Sequence, residues 1–185
     1  MEKTDSRRVS SYGQKGRLTT LQLTTMALLL AFRIMLAYIP AFRIGEIAQI
    51  GVGFIGTAIS SAIIGPWWAI VLSMANDIIT ALLNGYSFFF GYTLSAGLAG
   101  FIYGWFLWRK ELNWKNILIS VLLVTLIVNL GLGSLWIRMM QGKAWAAFMP
   151  IRIAKNAVSF PLNTIILVII LQLPVIKRLI RKFQF

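Results

Sequence analysis

The chain has 185 residues, 58% of them apolar and 12% charged, with eighteen Lys and Arg against five Asp and Glu for a formal charge of +13. Its mean hydropathy is +0.78, whereas a soluble domain carries about 25% charged and roughly 45–50% apolar residues, so the composition describes a membrane protein and excludes an ordinary soluble enzyme. The chain lacks both Cys and His, which removes disulfides, thiolate chemistry, zinc hydrolases, His-based triads and His-ligated haem together.

A basic tail, residues 1–17, opens the sequence with Lys3, Arg7, Arg8, Lys15 and Arg17. The apolar run behind it is too long for a secretory signal and has no small-residue cleavage site, so it reads as a retained helix. A helix needs about 20 mostly apolar residues to cross a hydrocarbon layer ~30 Å thick. Six runs approach that length. They cover Leu18 to Ile39, Ile47 to Ile64, Trp67 to Leu83, Phe88 to Trp108, Trp114 to Ile137 and Pro150 to Leu173. The second and third are short and separated only by Gly65-Pro66, which leaves room for a tilted or re-entrant segment. The expected architecture is an all-α membrane protein, a six-transmembrane-helix bundle over residues 18–176, with a second basic tail at 177–185.

Six spans put both ends on one side, together with the Gly65-Pro66 turn and the Arg109 to Lys115 loop. That side collects twelve of the eighteen cations, among them Arg109, Lys110, Lys115, Lys177, Arg178, Arg181 and Lys182. The bias of Lys and Arg toward the cytoplasm then places both termini there. The basic excess thus serves topology and attraction to membrane lipid headgroups, and no nucleic-acid role is expected.

Four charges fall inside the spans: Arg33, Asp77, Arg152 and Lys155. Each costs about 2.5–3.5 kcal/mol at the bilayer centre on insertion scales, so the set must face protein or a water-filled cavity. Arg152, Lys155 and Asn156 share one helical face at spacings of three and four, and Ser159 continues it one turn deeper. On the six-span layout Arg33, Asp77, Arg152, Lys155 and Asn156 all lie in the outer half. Arg43, Glu46, Arg138 and Lys143 occupy the outer loops. Positive charge predominates there, which suits an anionic ligand arriving from outside. The residues also admit a plainer arrangement, in which Arg33 and Asp77 form a buried structural pair and Arg152 and Lys155 snorkel to headgroups. Aromatic residues crowd the same end. Most suit an interfacial belt, while Tyr86, Tyr92 and Trp136 at the span ends are placed to stack on a flat ring.

Gly51 to Gly56 spells G-x-G-x-x-G, but it lies in an apolar run with no strand–turn–helix frame, so it reads as close helix packing. No P-loop is present, so any ATP is used by partner subunits, and the chain itself needs no cofactor. Small residues recur at four-residue spacing: Ala27 and Ala31, Ala58 and Ala62, Ala69 and Ser73, then Ala96, Gly100 and Gly104. Such stripes let helices approach closely, either within the bundle or against another membrane protein.

The residues that tie these features together are Ala27-Leu-Leu-Leu-Ala31 with Arg33, Phe42-Arg43-Ile44-Gly45, Asn76-Asp77, and Gly85-Tyr86-Ser87-Phe88-Phe89. Gly131-Leu132-Gly133-Ser134-Leu135-Trp136 and Pro150-Ile151-Arg152-Ile153-Ala154-Lys155-Asn156 with Pro161 complete the set. Over residues 20 to 180 this pattern resembles the substrate-binding S components of energy-coupling factor (ECF) vitamin transporters, most closely the folate-specific family. The resemblance implies a six-helix subunit of a bacterial plasma membrane that captures folate from outside. It also implies a transmembrane coupling protein and two cytoplasmic ATPases as partners. Ala27 and Ala31 match the family's docking stripe, with Ala69 and Ser73 as an approximate third-helix counterpart, and the Pro40 to Gln49 loop suits a lid.

The chemistry is compatible with that ligand. Cations suit its glutamate carboxylates, Asp77 or Asn76 the pterin's donor edge, and Tyr or Trp its ring face. Which cation meets which carboxylate is open. Two other classes stay in view: an S component for another vitamin, and an autonomous small-molecule transporter. A membrane-embedded enzyme would have to rest on a Ser159–Lys155 pair, and no enzymatic activity is expected.

Overall fold

The computed structural model describes residues 18–39, 42–44, 48–85, 88–142 and 145–185, with backbone alone for 42–44, 48–50, 141 and 146. Helix α1 (Thr20–Ala37) starts on a capping box. The Thr19 hydroxyl accepts the Gln22 N–H at 3.3 Å, and the Gln22 side chain accepts the Thr19 N–H at 2.9 Å. The chain then forms a small antiparallel hairpin, β1 (Phe42–Ile44) with β2 (Ala48–Ile50), in which Arg43 pairs with Gln49. This corrects two expectations. The architecture is helical but carries a hairpin, and the second apolar run does not begin its helix at Ile47. Gln49, Gly51 and Gly53 interrupt that run, and Gly is a poor helix former, so the helix starts only at Gly53.

Helix α2 (Gly53–Leu83) breaks at Gly65, whose φ of 80° and ψ of 172° suit a residue without a Cβ. The two halves fold back on each other. Thr57 and Ser73, each eight residues from Gly65, both accept hydrogen bonds from the one guanidinium of Arg33. A straight helix would hold them about 24 Å apart. Pro66 has no N–H to give the Ala62 carbonyl, as position i+4 of a continuous helix would. The far end of the chain replaces that bond: Gln184 Nε2 donates to the Ala62 carbonyl at 2.8 Å, and the Phe185 N–H to that of Ile63 at 3.3 Å. Trp108 lies over Gly65 and donates Nε1 to the Phe185 carbonyl at 2.9 Å.

Helix α3 (Phe90–Leu107) packs along α2 through its small residues. A Cβ on Gly104 would come within 2.6 Å of Pro66 Cα, and one on Gly100 within 2.6 Å of the Ala69 carbonyl oxygen. After a short loop, α4 (Trp114–Leu123) runs through a π-helical stretch (Val124–Leu132) into α5 (Gly133–Gln141). Helix α6 (Trp145–Gln172) follows, beginning before the expected Pro150, and then α7 (Pro174–Phe183). Ile176, Ile180 and Phe183 of α7 pack on the core at helical spacing, so the second basic segment is an amphipathic helix.

Four helical stretches among the described residues are long and apolar enough to cross a membrane: Thr20–Ala37, Gly53–Leu83, Trp114–Met140 and Ala147–Gln172. The core sits around α2 and α3. The apolar window of α2 is 72% buried, against 11% for α1 and 17% for α6. Gly56, last of the G-x-G-x-x-G glycines, lies against Leu36 and Arg33 of α1, as a helix-packing glycine should.

Candidate ligand-binding site

Arg33 is buried on α1, where its Nη1 donates to Ser73 Oγ at 2.9 Å and its Nη2 to Thr57 Oγ1 at 3.1 Å. One side chain therefore ties α1 to both arms of the α2 reversal. Asp77, one turn beyond Ser73, accepts from Thr93 Oγ1 of α3 at 2.7 Å and lies within electrostatic reach of Arg33. Arg33 and Asp77 thus act on each other through space while each is hydrogen-bonded to hydroxyls of its own. We expect Arg33→Gln to cost about 3 kcal/mol, because two hydrogen bonds from a charged donor, each worth about 1.5–3 kcal/mol, are lost and Gln retains part of one. A thermal unfolding midpoint lowered in detergent checks this.

A second group assembles where α3, α5 and α6 meet. Arg152 is half-buried and donates through Nη2 to the Asn129 carbonyl in the π-helical stretch. Gly133 lies against it, and a Cβ there would come within 2.7 Å of Nη2. Arg152 is also within electrostatic reach of Tyr92 and Lys155. Trp136 donates Nε1 to Ser95 Oγ at 2.8 Å, and Phe89 sits edge-on to both Trp136 and Tyr92 with ring centroids 5.7 Å apart. Gly91 makes the seat for this aromatic cluster, since a Cβ there would meet Phe89 and the Trp136 indole.

These two groups border one partly open cavity of about 190 Å³. Its wall includes Thr57, held by Arg33, then Ser95, held by Trp136, and Asn129, held by Arg152. Thr125 and Asn163 add further polar groups to a wall otherwise made of residues such as Phe54, Tyr103 and Val124. The volume is below the roughly 300 Å³ usual for a small-molecule site, so it has room for only part of a ligand of that size. Outside its wall, Asn76 Oδ1, Ser134 Oγ, Asn156 Oδ1 and Ser159 Oγ are buried with no hydrogen-bond partner among the described residues, a state that costs about 1–3 kcal/mol per group.

The expected α6 face is present: Asn156 and Ser159 are buried, Arg152 and Lys155 half-buried, while Ile151, Ile153 and Val158 point outward. Asn156 Nδ2 donates back to the Arg152 carbonyl at 2.8 Å. Tyr86, Glu46 and Lys143 lie outside the described residues, as do the tail at 1–17 and part of the Pro40 to Gln49 loop; Arg43 is described in backbone only. The docking stripe divides. Ala27 and Ala31 are exposed on α1 beside Leu28 and Met35. Ala69 and Ser73 have no exposed surface, because Gly100 of α3 packs on Ala69 and Ser73 receives Arg33. An external role for that pair is thereby corrected to a role inside the bundle. Sequence reasoning passed over Thr57, Ser95, Asn129 and Phe89. Asn129 carried a signal, an amide in an apolar run, whereas nothing in the run Phe88-Phe89-Phe90 distinguishes its middle ring.

The position of Gly133 allows a direct check. Gly133→Ala is expected to displace the Arg152 guanidinium and weaken ligand binding about tenfold, since a shift of about 1 Å in a positioned group has effects of this order or larger. Equilibrium binding on the folded variant measures it.

Comparison with known proteins agrees with this architecture. Residues 21–171 match the family model for the substrate-specific component of ECF transporters. The chain is 33% identical over 122 residues to the folate transporter FolT of Clostridium novyi, covering 65% of this chain and 71% of that one. It is 29% identical over 154 residues to the FolT of Leuconostoc mesenteroides, covering 80% and 82%. Among solved structures, a crystal structure of FolT bound with folic acid superposes with a TM-score of 0.75 at 31% identity, covering 80% of this chain and 91% of that chain. The S component for biotin from an ECF-type ABC transporter shares the fold alone, with a TM-score of 0.63 at 19% identity over 83% and 94% of the two chains. A membrane-type helical bundle whose residues 21–171 match this one family model places the chain plainly: it belongs to the substrate-specific components of ECF transporters.

Proposed function

We propose that this subunit binds folate from the outer face of a bacterial plasma membrane and hands it inward as part of an ECF importer. The observation that carries the reading is the convergence of Arg33, Trp136 and Arg152 on one cavity through Thr57, Ser95 and Asn129. Likeness to a folate-bound relative at 31% identity supports it. Folate joins a flat pterin, through an aminobenzoate, to a glutamate with two carboxylates. The pterin enters the cavity beside the aromatic cluster, and buried amide and hydroxyl oxygens such as Asn76 Oδ1 accept from its donor edge. Its carboxylates meet Arg152 and Lys155, with Arg43 contributing from the hairpin.

In this reading the chain crosses the membrane six times, the two arms of α2 counting as two passes, and both termini are cytoplasmic. The exposed Ala27–Ala31 face of α1 receives the transmembrane coupling protein, and two cytoplasmic ATPases supply the energy. Equilibrium binding of radiolabelled folate to the purified chain tests the ligand. Saturation in the submicromolar range is expected, and its absence from folded protein rejects folate.

A further inference from the structure

At the end of the molecule opposite the Arg138–Trp145 pair, a second cavity of about 510 Å³ lies between the α3–α4 loop and α7. Arg109 and Lys110 line it from the loop, Lys177 and Arg181 from α7, Gln184 from just past the end of α7, and Glu111 is its one acid. Lys177 and Arg181 fall at i and i+4, so one face of α7 lines the cavity. Glu111 accepts from Asn113 Nδ2 at 2.9 Å. The loop is shaped for this. Arg109 has a φ of 52°, a left-handed conformation uncommon for a residue with a side chain, and its guanidinium stacks 4.4 Å from the Trp108 ring. Residues held in such conformations often mark functional positions. Four cations around one concavity repel one another, and an anion relieves that repulsion.

We propose that this cavity binds the phosphate of an anionic phospholipid headgroup. Its floor and flanks supply the reason for a lipid. Leu107, which ends the α3 apolar segment, and Ile180 of α7 form its inner wall. On α7, Val175 and Leu179 are 73% and 42% exposed on the side of the helix opposite the basic stripe, and Trp105 and Trp114 flank the loop with exposed rings. This is the pattern of a helix lying in the headgroup layer with its apolar side toward acyl chains, bounded by interfacial tryptophans. A soluble anion has no use for the apolar flank. Basic pockets at a membrane rim hold phospholipid headgroups by the same chemistry.

Native mass spectrometry of the full chain, with dioleoyl phosphatidylglycerol or dioleoyl phosphatidylcholine added to the detergent, tests the proposal. The anionic lipid is expected to be retained more tightly, by about fivefold for each cation engaged. Lys177→Gln with Arg181→Gln abolishes that preference, Arg181→Lys keeps most of it, and Arg138→Gln at the other end leaves it unchanged. If the α7 pair fails to fold, Arg109→Gln with Lys110→Gln, both exposed, must abolish the preference in its place. Retention of the preference in a folded variant overturns the proposal. So does displacement of the bound lipid by inorganic phosphate at matched concentration, which assigns the cavity to a free anion.

Discussion

Replacing Arg152 with Gln is expected to weaken folate binding about a hundredfold in protein that still folds. Arg152 is half-buried and donates to the Asn129 carbonyl, which lies in a π-helical stretch rather than an α-helical one. The wider turn of such a stretch leaves its carbonyls less fully paired, and π-helical turns are frequent at functional sites. The guanidinium is thereby anchored on the helix backbone, and its planar geometry suits bidentate recognition of a carboxylate. Charge-assisted hydrogen bonds contribute about 1.5–3 kcal/mol each, and the loss of two of them less what Gln retains is about 3 kcal/mol, or two powers of ten in affinity. Arg152→Lys keeps the charge without the fork and is expected to fall between, with binding weakened about tenfold. Equal affinity in the parent and Gln variant would remove Arg152 from the site.

The largest effect on stability is expected at the α2 reversal. Gly65→Ala should cost about 4 kcal/mol, and the measurement is the thermal unfolding midpoint in detergent. Two separate penalties contribute. A φ of 80° with ψ near 172° is a region open essentially to glycine alone, at a cost of about 1–3 kcal/mol. A Cβ there would also come 3.0 Å from the Trp108 ring, which the Phe185 carbonyl holds in place, and such overpacking costs about 1–3 kcal/mol. Trp108→Phe removes the hydrogen bond and part of the obstruction, so the double variant should lose less than the sum of the single losses. Strict additivity would mean that the two residues do not act on each other.

Much of this frame was legible from the amino acids because lipid allows few solutions. Backbone groups in a dry slab must pair within the segment, so long apolar runs become helices, and Gly65-Pro66 could only be a break. The face shared by Arg152, Asn156 and Ser159 followed from helical spacing and is present. The hairpin did not announce itself, because strands of three residues, Phe42–Ile44 and Ala48–Ile50, are too short to carry a period. The fate of small residues was equally hidden. Ala27–Ala31 and Ala69–Ser73 have the same spacing, yet one pair is exposed and the other fully buried. What distinguishes them is Gly100 on another helix, which no local pattern reports. The hydroxyls and carbonyl that link the cations to the cavity were missed for a related reason. Ser, Thr and backbone oxygens are common in any membrane helix, and only tertiary structure selects Thr57, Ser95 and Asn129.

That these cations recognise carboxylates is tested most directly by comparing folate with pteroic acid, which lacks the glutamate. Both ligands should be titrated against the parent chain and against the double variant Arg152→Gln, Lys155→Gln, with folding verified for each. The parent chain is expected to prefer folate by about a hundredfold or more, and the variant to bind the two ligands about equally. Should the folded variant keep the full preference for folate, the acidic end of the vitamin is held elsewhere and the assignment of this site is wrong.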